Sequence, residues 1–184
     1  MKSTKIALIA ILSALSISTN YALIGVSNVK LMDFIVFFGG FCFGAVVGSS
    51  VGVLSWFVYG LINPLGPAPP LIWIATMLAE SVYGIAGGFI GKKLNSNSIQ
   101  NERLSAGVFF ATLGFLPTVL YDLVTNVAFA YSMNVPMIGA IVTGAWFGVV
   151  HEASNAAIFG LCTVPLISVM KKSMLRQENV LSKE

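Results

Sequence analysis

The chain alternates between long apolar blocks and short polar gaps. The blocks cover residues 5–25, 33 to about 62, 71–91, 105–131 and about 137–170. A helix rises about 1.5 Å per residue, so about 20 residues cross the hydrocarbon of a bilayer. Four blocks read as single crossings. The block 33–62 is long for one helix and short for two, and charge decides it. Lys2, Lys5, Lys92, Lys93, Arg103, Lys171, Lys172, Arg176 and Lys183 all fall on one face if the chain crosses an even number of times; only Lys30 falls in a gap on the opposite face. Positive loops stay in the cytoplasm. A single crossing in 33–62 would place Lys92 and Lys93 outside, so the pattern predicts two short helices meeting near Gly44 to Gly52 on the cytoplasmic side. The expected fold is all-α and integral to the membrane. It is a compact bundle of six transmembrane helices forming one domain over 1–184, with both termini cytoplasmic. Its spans are expected near 5–25, 33–47, 48–62, 71–91, 105–131 and 144–170.

Composition excludes the soluble alternatives. Charged residues make up 9% of the chain and apolar ones 57%, whereas an ordinary soluble domain carries about 25% charged residues. The net charge of +3 reflects a basic cytoplasmic rim spread over three short segments, not a nucleic-acid surface. Lys2 and Lys5 before an apolar run would suit a signal peptide, but no A-x-A site follows and removal would leave an odd number of spans. The first block is therefore expected to stay as a helix.

Gly40, Gly44, Gly48 and Gly52 recur every four residues, and Gly84/Gly88 and Gly87/Gly91 repeat the device. Small residues at that spacing let helices approach closely in lipid. The segment NPLGPAPP (63–70) carries Pro64, Pro67, Pro69 and Pro70 and predicts a stiff extracellular loop. Trp56, Tyr59 and Trp73 read as interfacial belt anchors.

The chemistry lies in polar residues placed where they are costly. Glu80, Asp122, His151 and Glu152 fall inside apolar blocks, and such residues usually face a bundle interior or a wet cavity. Trp73, Thr76, Glu80, Tyr83 and Gly87 share one helical face. So do Thr118, Tyr121, Asp122, Thr125, Asn126 and Phe129, and likewise Gly148, His151, Glu152, Asn155 and Phe159. Glu80 and Asp122 each lie about 14 Å from the outer helix ends. The three stripes should meet in the outer half of the bundle, beneath the proline loop, as a pocket open to the outside. Its candidate binding residues are Glu80, Tyr83, Tyr121, Asp122, Asn126, His151, Glu152 and Asn155. Three carboxylates without an intramembrane Lys or Arg await a cation or a hydrogen-bond donor. Structural pairing, Asp122 with Asn126 or His151 with Glu152, accounts equally for any one of them.

On the first block Ala7, Ala10 and Ala14 form a small-residue face, while Ser13, Ser16 and Asn20 lie about a third of a turn away. With the opening KSTKIALIAILSAL, the glycine-rich FGGFCFGAVVGSSVG and the segments YDLVTNVAFA and WFGVVHEASNAAIFGLCTVPLISVMKK, this pattern resembles the substrate-binding S components of energy-coupling factor (ECF) vitamin transporters. The resemblance covers nearly the whole chain. It implies a protein of the prokaryotic cell membrane that captures a vitamin or related micronutrient from outside. It also implies that Ala7, Ala10 and Ala14 dock a transmembrane scaffold subunit coupled to two cytoplasmic ATPases. The acidic lining leans towards an amine-bearing or cationic ligand. No cofactor, metal or nucleic acid is expected for this chain, and ATP would be used by the partners: the nearest phosphate-loop match, AGGFIGKK, has Ala86 and Lys93 at two required positions.

Two other readings stay open. A stand-alone cation- or proton-coupled transporter or channel would also use mid-depth carboxylates. An intramembrane protease-like enzyme could use His151 and Glu152, but a second histidine and a membrane-depth arginine are missing. No enzyme activity is therefore expected.

Overall fold

A computed structural model describes residues 3–64, 66–94 and 102–181, of which 171–181 are described by their backbone alone. The chain forms α1 (Ser3–Ala22), α2 (Met32–Phe43), α3 (Ala45–Ile62), α4 (Pro70–Lys93), α5 (Arg103–Met133) and α6 (Met137–Leu181). No strand occurs among the described residues. The bundle of six helices is therefore all-α. Five of the helices are long and apolar enough to cross a membrane, and α2, at 12 residues, is a shorter apolar helix. The tail residues 182–184 and much of the polar gap 92–104 lie outside the described residues.

Large apolar side chains cover the outside of the bundle. Val46, Leu78, Val108, Ile138 and Leu161 are all exposed. Polar side chains point inward instead: Ser13, Ser16, Asn20, Asp33, Glu80, Thr118, His151 and Asn155 are buried. This inversion suits lipid, which solvates apolar side chains and leaves polar groups to find partners within the protein.

The α2–α3 corner is a single residue, Gly44. Its φ of 94° lies in the region that favours glycine, and its N–H donates to Gly40 O at 2.8 Å. An added Cβ at Gly44 would meet nothing within 4 Å, so the dihedral and not space demands glycine here. The opposite holds where α2, α3 and α4 cross. A Cβ on Gly48 would fall 2.5 Å from Gly40 Cα and 2.8 Å from Gly84 Cα. Side chains on Gly87 and Gly91 would overlap the backbone of Phe37 and Phe41. The expected close approach of helices is thus a three-way backbone contact.

These contacts also place α2 in depth. Its residues Phe37, Gly40 and Phe41 lie beside Gly87, Gly84 and Gly91, all in the second half of α4. With about 18 Å of length, α2 flanks the inner part of the bundle and leaves the outer half of α4 without it. Residues 23–31, which connect α1 to α2, enter that space. Below, Phe34, Phe37, Tyr83, Phe110 and Phe159 form a continuous aromatic core. α5 and α6 run antiparallel, joined by a turn at Asn134, whose φ of 51° ends α5 in the left-handed conformation. α6 begins at Met137 rather than near residue 144, because Pro136 can open a helix without losing a bond.

Candidate functional site

Five helices contribute to one buried polar layer. Asp33, in the first turn of α2, has its Oδ2 2.6 Å from His151 Nε2 and accepts a 2.6 Å bond from Asn155 Nδ2. The second ring nitrogen of His151, Nδ1, lies 2.9 Å from Asp122 Oδ1. An imidazolium donates to both carboxylates, whereas a neutral ring donates to one. Asn155 Nδ2 also donates to Thr118 Oγ1 at 2.8 Å. The Thr118 hydroxyl spends its one proton on Gly114 O at 2.6 Å, so the Tyr83 hydroxyl is the donor in its 2.7 Å bond to Thr118. Glu80 Oε2 accepts from Trp56 Nε1 at 3.1 Å. Two acceptors of this layer, Asp122 Oδ2 and Asn155 Oδ1, have no hydrogen-bond partner, while the carboxyls of Asp33 and Glu80 lie within hydrogen-bonding reach of each other and can share one proton. Such orphans are uncommon in native interiors and call for an explanation.

Next to this layer is a hollow of about 230 Å³, lined by Asn28, Lys30, Thr76, Tyr121, Asp122, Thr125, Asn126, Gly144, Phe147 and Gly148. On α4 and α6 the lining residues precede the polar layer in sequence, and on α5 most follow it. Since α5 runs opposite to the other two, the hollow lies toward the end of the bundle that carries the α1–α2 connection and the α5–α6 turn. The positive-inside pattern predicts that this is the outer end. At its edge Asn28 Nδ2 donates to Phe147 O at 2.7 Å and ties the α1–α2 connection to α6. Two carboxylates converge from the side. A Cβ on Gly148 would lie 3.6 Å from Asp122 Oδ2 and 3.9 Å from Glu152 Oε1. The ammonium of Lys30 also borders the hollow, 5.1 Å from the ring centre of Tyr121 and 5.5 Å from that of Trp56. These are cation–π distances.

Of the residues expected at the site, Tyr121, Asp122 and Asn126 line the hollow. Glu80, Tyr83, His151 and Asn155 are fully buried in the layer beneath it. Glu152 is half-buried beside Gly148. The expected belt role of Trp56 and Tyr59 does not hold: both are buried, Trp56 bonds to Glu80, and Tyr59 packs edge-on against Trp56 and Tyr21. Trp73 is also turned inward, donating to Trp56 O at 3.0 Å and lying over Gly60.

Sequence reasoning missed Asp33 and Lys30. Asp33 stands at the edge of an apolar block, yet Met32, Asp33, Val36, Phe37 and Gly40 are all buried on one helical face, a periodicity that was available to be seen. Lys30 was the one basic residue at odds with the orientation rule. It brings an ammonium to the hollow that the linear chain gave no reason to place there.

A family model for the substrate-specific component of ECF transporters matches residues 4–167. The chain belongs to that family. No curated protein and no solved structure matches it. The matched stretch of this S component runs from the first turn of α1 past Val164 in α6, so it includes every residue of the polar layer and of the hollow. The protein is thus a multi-pass membrane subunit of a transporter that binds substrate, and its family is not one of enzymes.

Proposed function

We propose that the hollow between the α1–α2 connection, α4, α5 and α6 is where this S component captures a vitamin or related micronutrient. The ligand enters from outside a prokaryotic cell and is released inward through a transmembrane scaffold subunit with two cytoplasmic ATPases. The observation carrying this reading is the convergence of Lys30 and Asp122 on one hollow. At about 230 Å³ the space falls just below the roughly 300–1,000 Å³ of most ligand pockets, which favours a small ligand. The free Asp122 Oδ2 supports an amine or other N–H donor on that ligand.

The alanine face of α1 supports the docking role. Ala7, Ala10 and Ala14 are exposed, while Ser13, Ser16 and Asn20 of the same helix face the bundle. The face is therefore free for a partner helix, and its small side chains allow close backbone approach.

The reading is tested by gentle purification, mass spectrometry of the small molecules released, and titration of the released compound back into stripped protein. One compound should be enriched and should rebind saturably. Cation or proton flux through vesicles containing this chain alone, without ATPases and without such a compound, would instead establish a stand-alone transporter.

A further inference from the structure

Lys30 is the unexplained charge of the hollow. The only ion pairs among the described side chains are those of His151 with Asp33 and Asp122. The Lys30 ammonium has two aromatic rings as neighbours, Trp56 and Tyr121, and among the described residues it makes no hydrogen bond or ion pair, the carboxylates of Asp33 and Glu80 acting on it only through longer-range charge. An ammonium carries three donors and is strongly hydrated. Holding it half-buried beside rings, with its donors unused by the described residues, leaves room for an acceptor on a ligand.

Another lining residue has the complementary deficiency. Asp122 Oδ1 is committed to His151, but its Oδ2 is buried and has no donor. Beside it the Glu152 Oε1 approaches the position a Gly148 side chain would fill. The lack of a side chain at Gly148 keeps this acidic wall open to the hollow. Tyr121, whose ring faces Lys30, also lines the hollow and offers it an aromatic surface.

Building on the capture reading above, we infer that the ligand is amphoteric. One end carries an anionic oxygen, a carboxylate or similar group, that pairs with Lys30. The other end carries an amine or ring N–H that donates to Asp122 Oδ2, and a planar or apolar middle lies along Tyr121. A purely cationic ligand would leave Lys30 unpaired and repelled. A purely anionic one would face the carboxylate of Asp122. Complementary charge at both ends therefore selects against each simpler class.

The test uses full-length protein purified in mild detergent from one host, as wild type, Lys30→Gln, Lys30→Arg and Asp122→Asn. Small molecules released on denaturation are quantified by mass spectrometry against a detergent-only control, and gel filtration confirms that each variant is folded. The compound enriched with wild type should contain both an acidic oxygen group and an N–H group. Its occupancy should fall roughly 10- to 100-fold in Lys30→Gln, the loss expected for a hydrogen bond to a charged group, and in Asp122→Asn by a similar factor. Lys30→Arg should recover most of it, which a merely structural role for the lysine side chain would not require. An enriched compound without an acidic oxygen, or undiminished occupancy in folded Lys30→Gln, overturns the amphoteric assignment and leaves the capture site standing. No enriched compound from wild type would overturn both.

Discussion

His151 Nε2 lies 2.6 Å from Asp33 Oδ2, and this contact ties α6 to the first turn of α2 across 118 residues of sequence. Both side chains are fully buried. The same imidazole reaches Asp122 on α5, so one ring holds three helices at the floor of the hollow. A short α2 that flanks only the inner bundle needs such an anchor at its free outer end. Its own apolar surface is spent on α4 below.

Removing one member of that group should be far more damaging than altering a lipid-facing residue. Asp33→Ala leaves His151 Nε2 and Asn155 Nδ2 without their shared acceptor. Breaking a buried pair in this way costs about 3–5 kcal/mol. The thermal midpoint of the purified protein should fall clearly, and Asp33→Asn, which keeps one oxygen acceptor, should fall less. Equal midpoints for Asp33→Ala and wild type would show that the contact does not hold α2.

The triple glycine crossing makes a second stability prediction. A Cβ on Gly84 overlaps the backbone of Gly48 and Ser49, which cannot move independently because α3 and α4 are packed along most of their length. Gly84→Val should therefore destabilise by at least the roughly 1–3 kcal/mol of ordinary overpacking. Gly25→Ala, where an added Cβ meets nothing within 4 Å and φ is not reversed, is the control. Its melting curve should overlay that of wild type. A Gly84→Val protein that melts with the control would exclude the close crossing.

Much of this architecture was legible because lipid makes sequence rules strict. Apolar blocks, glycine spacing and the basic rim led to an all-α bundle with a break at 33–62, and the break is Gly44. The stripes on α4, α5 and α6 likewise pointed to one polar region, since each follows helical periodicity. What stayed hidden depends on relations between helices. Nothing local says that α2 starts at mid-depth, so Asp33 looked like the polar edge of a span. Nor does any periodicity show that the chain around Lys30 folds into the hollow, because a connection has no face. Trp56 shares the composition of a belt residue, and only its bond to Glu80 shows that it turns inward. The division of the polar residues into a lining and a buried floor was invisible for the same reason.

Orientation is open to a direct check. The proline-rich connection between α3 and α4 should lie outside if the basic rim is inside. Pro67 is exposed in that connection, so Pro67→Cys, in a background with Cys42→Ala and Cys162→Ala, should react with a membrane-impermeant maleimide added to intact cells. Labelling only after the cells are opened would invert the topology and close the hollow to external ligand.

The exposed alanines of α1 separate capture from delivery. Residue 10 faces away from the bundle and lies far from the hollow along the chain, near the inner half of a helix whose opposite face is buried against α3 through Ser13. Ala10→Trp adds a large side chain where a partner helix would need to approach closely, yet it touches nothing inside this protein. The variant should fold, retain the released compound at wild-type occupancy and bind it with unchanged affinity. Uptake by cells that also produce the scaffold and ATPases should be lost, because a bulky group in place of a small one blocks close packing of helices in lipid. Lost retention would mean that α1 shapes the hollow. Normal uptake would mean that the scaffold docks on another face. Either result would move the docking site off the α1 alanines, since only a contact confined to the partner predicts intact capture with failed delivery.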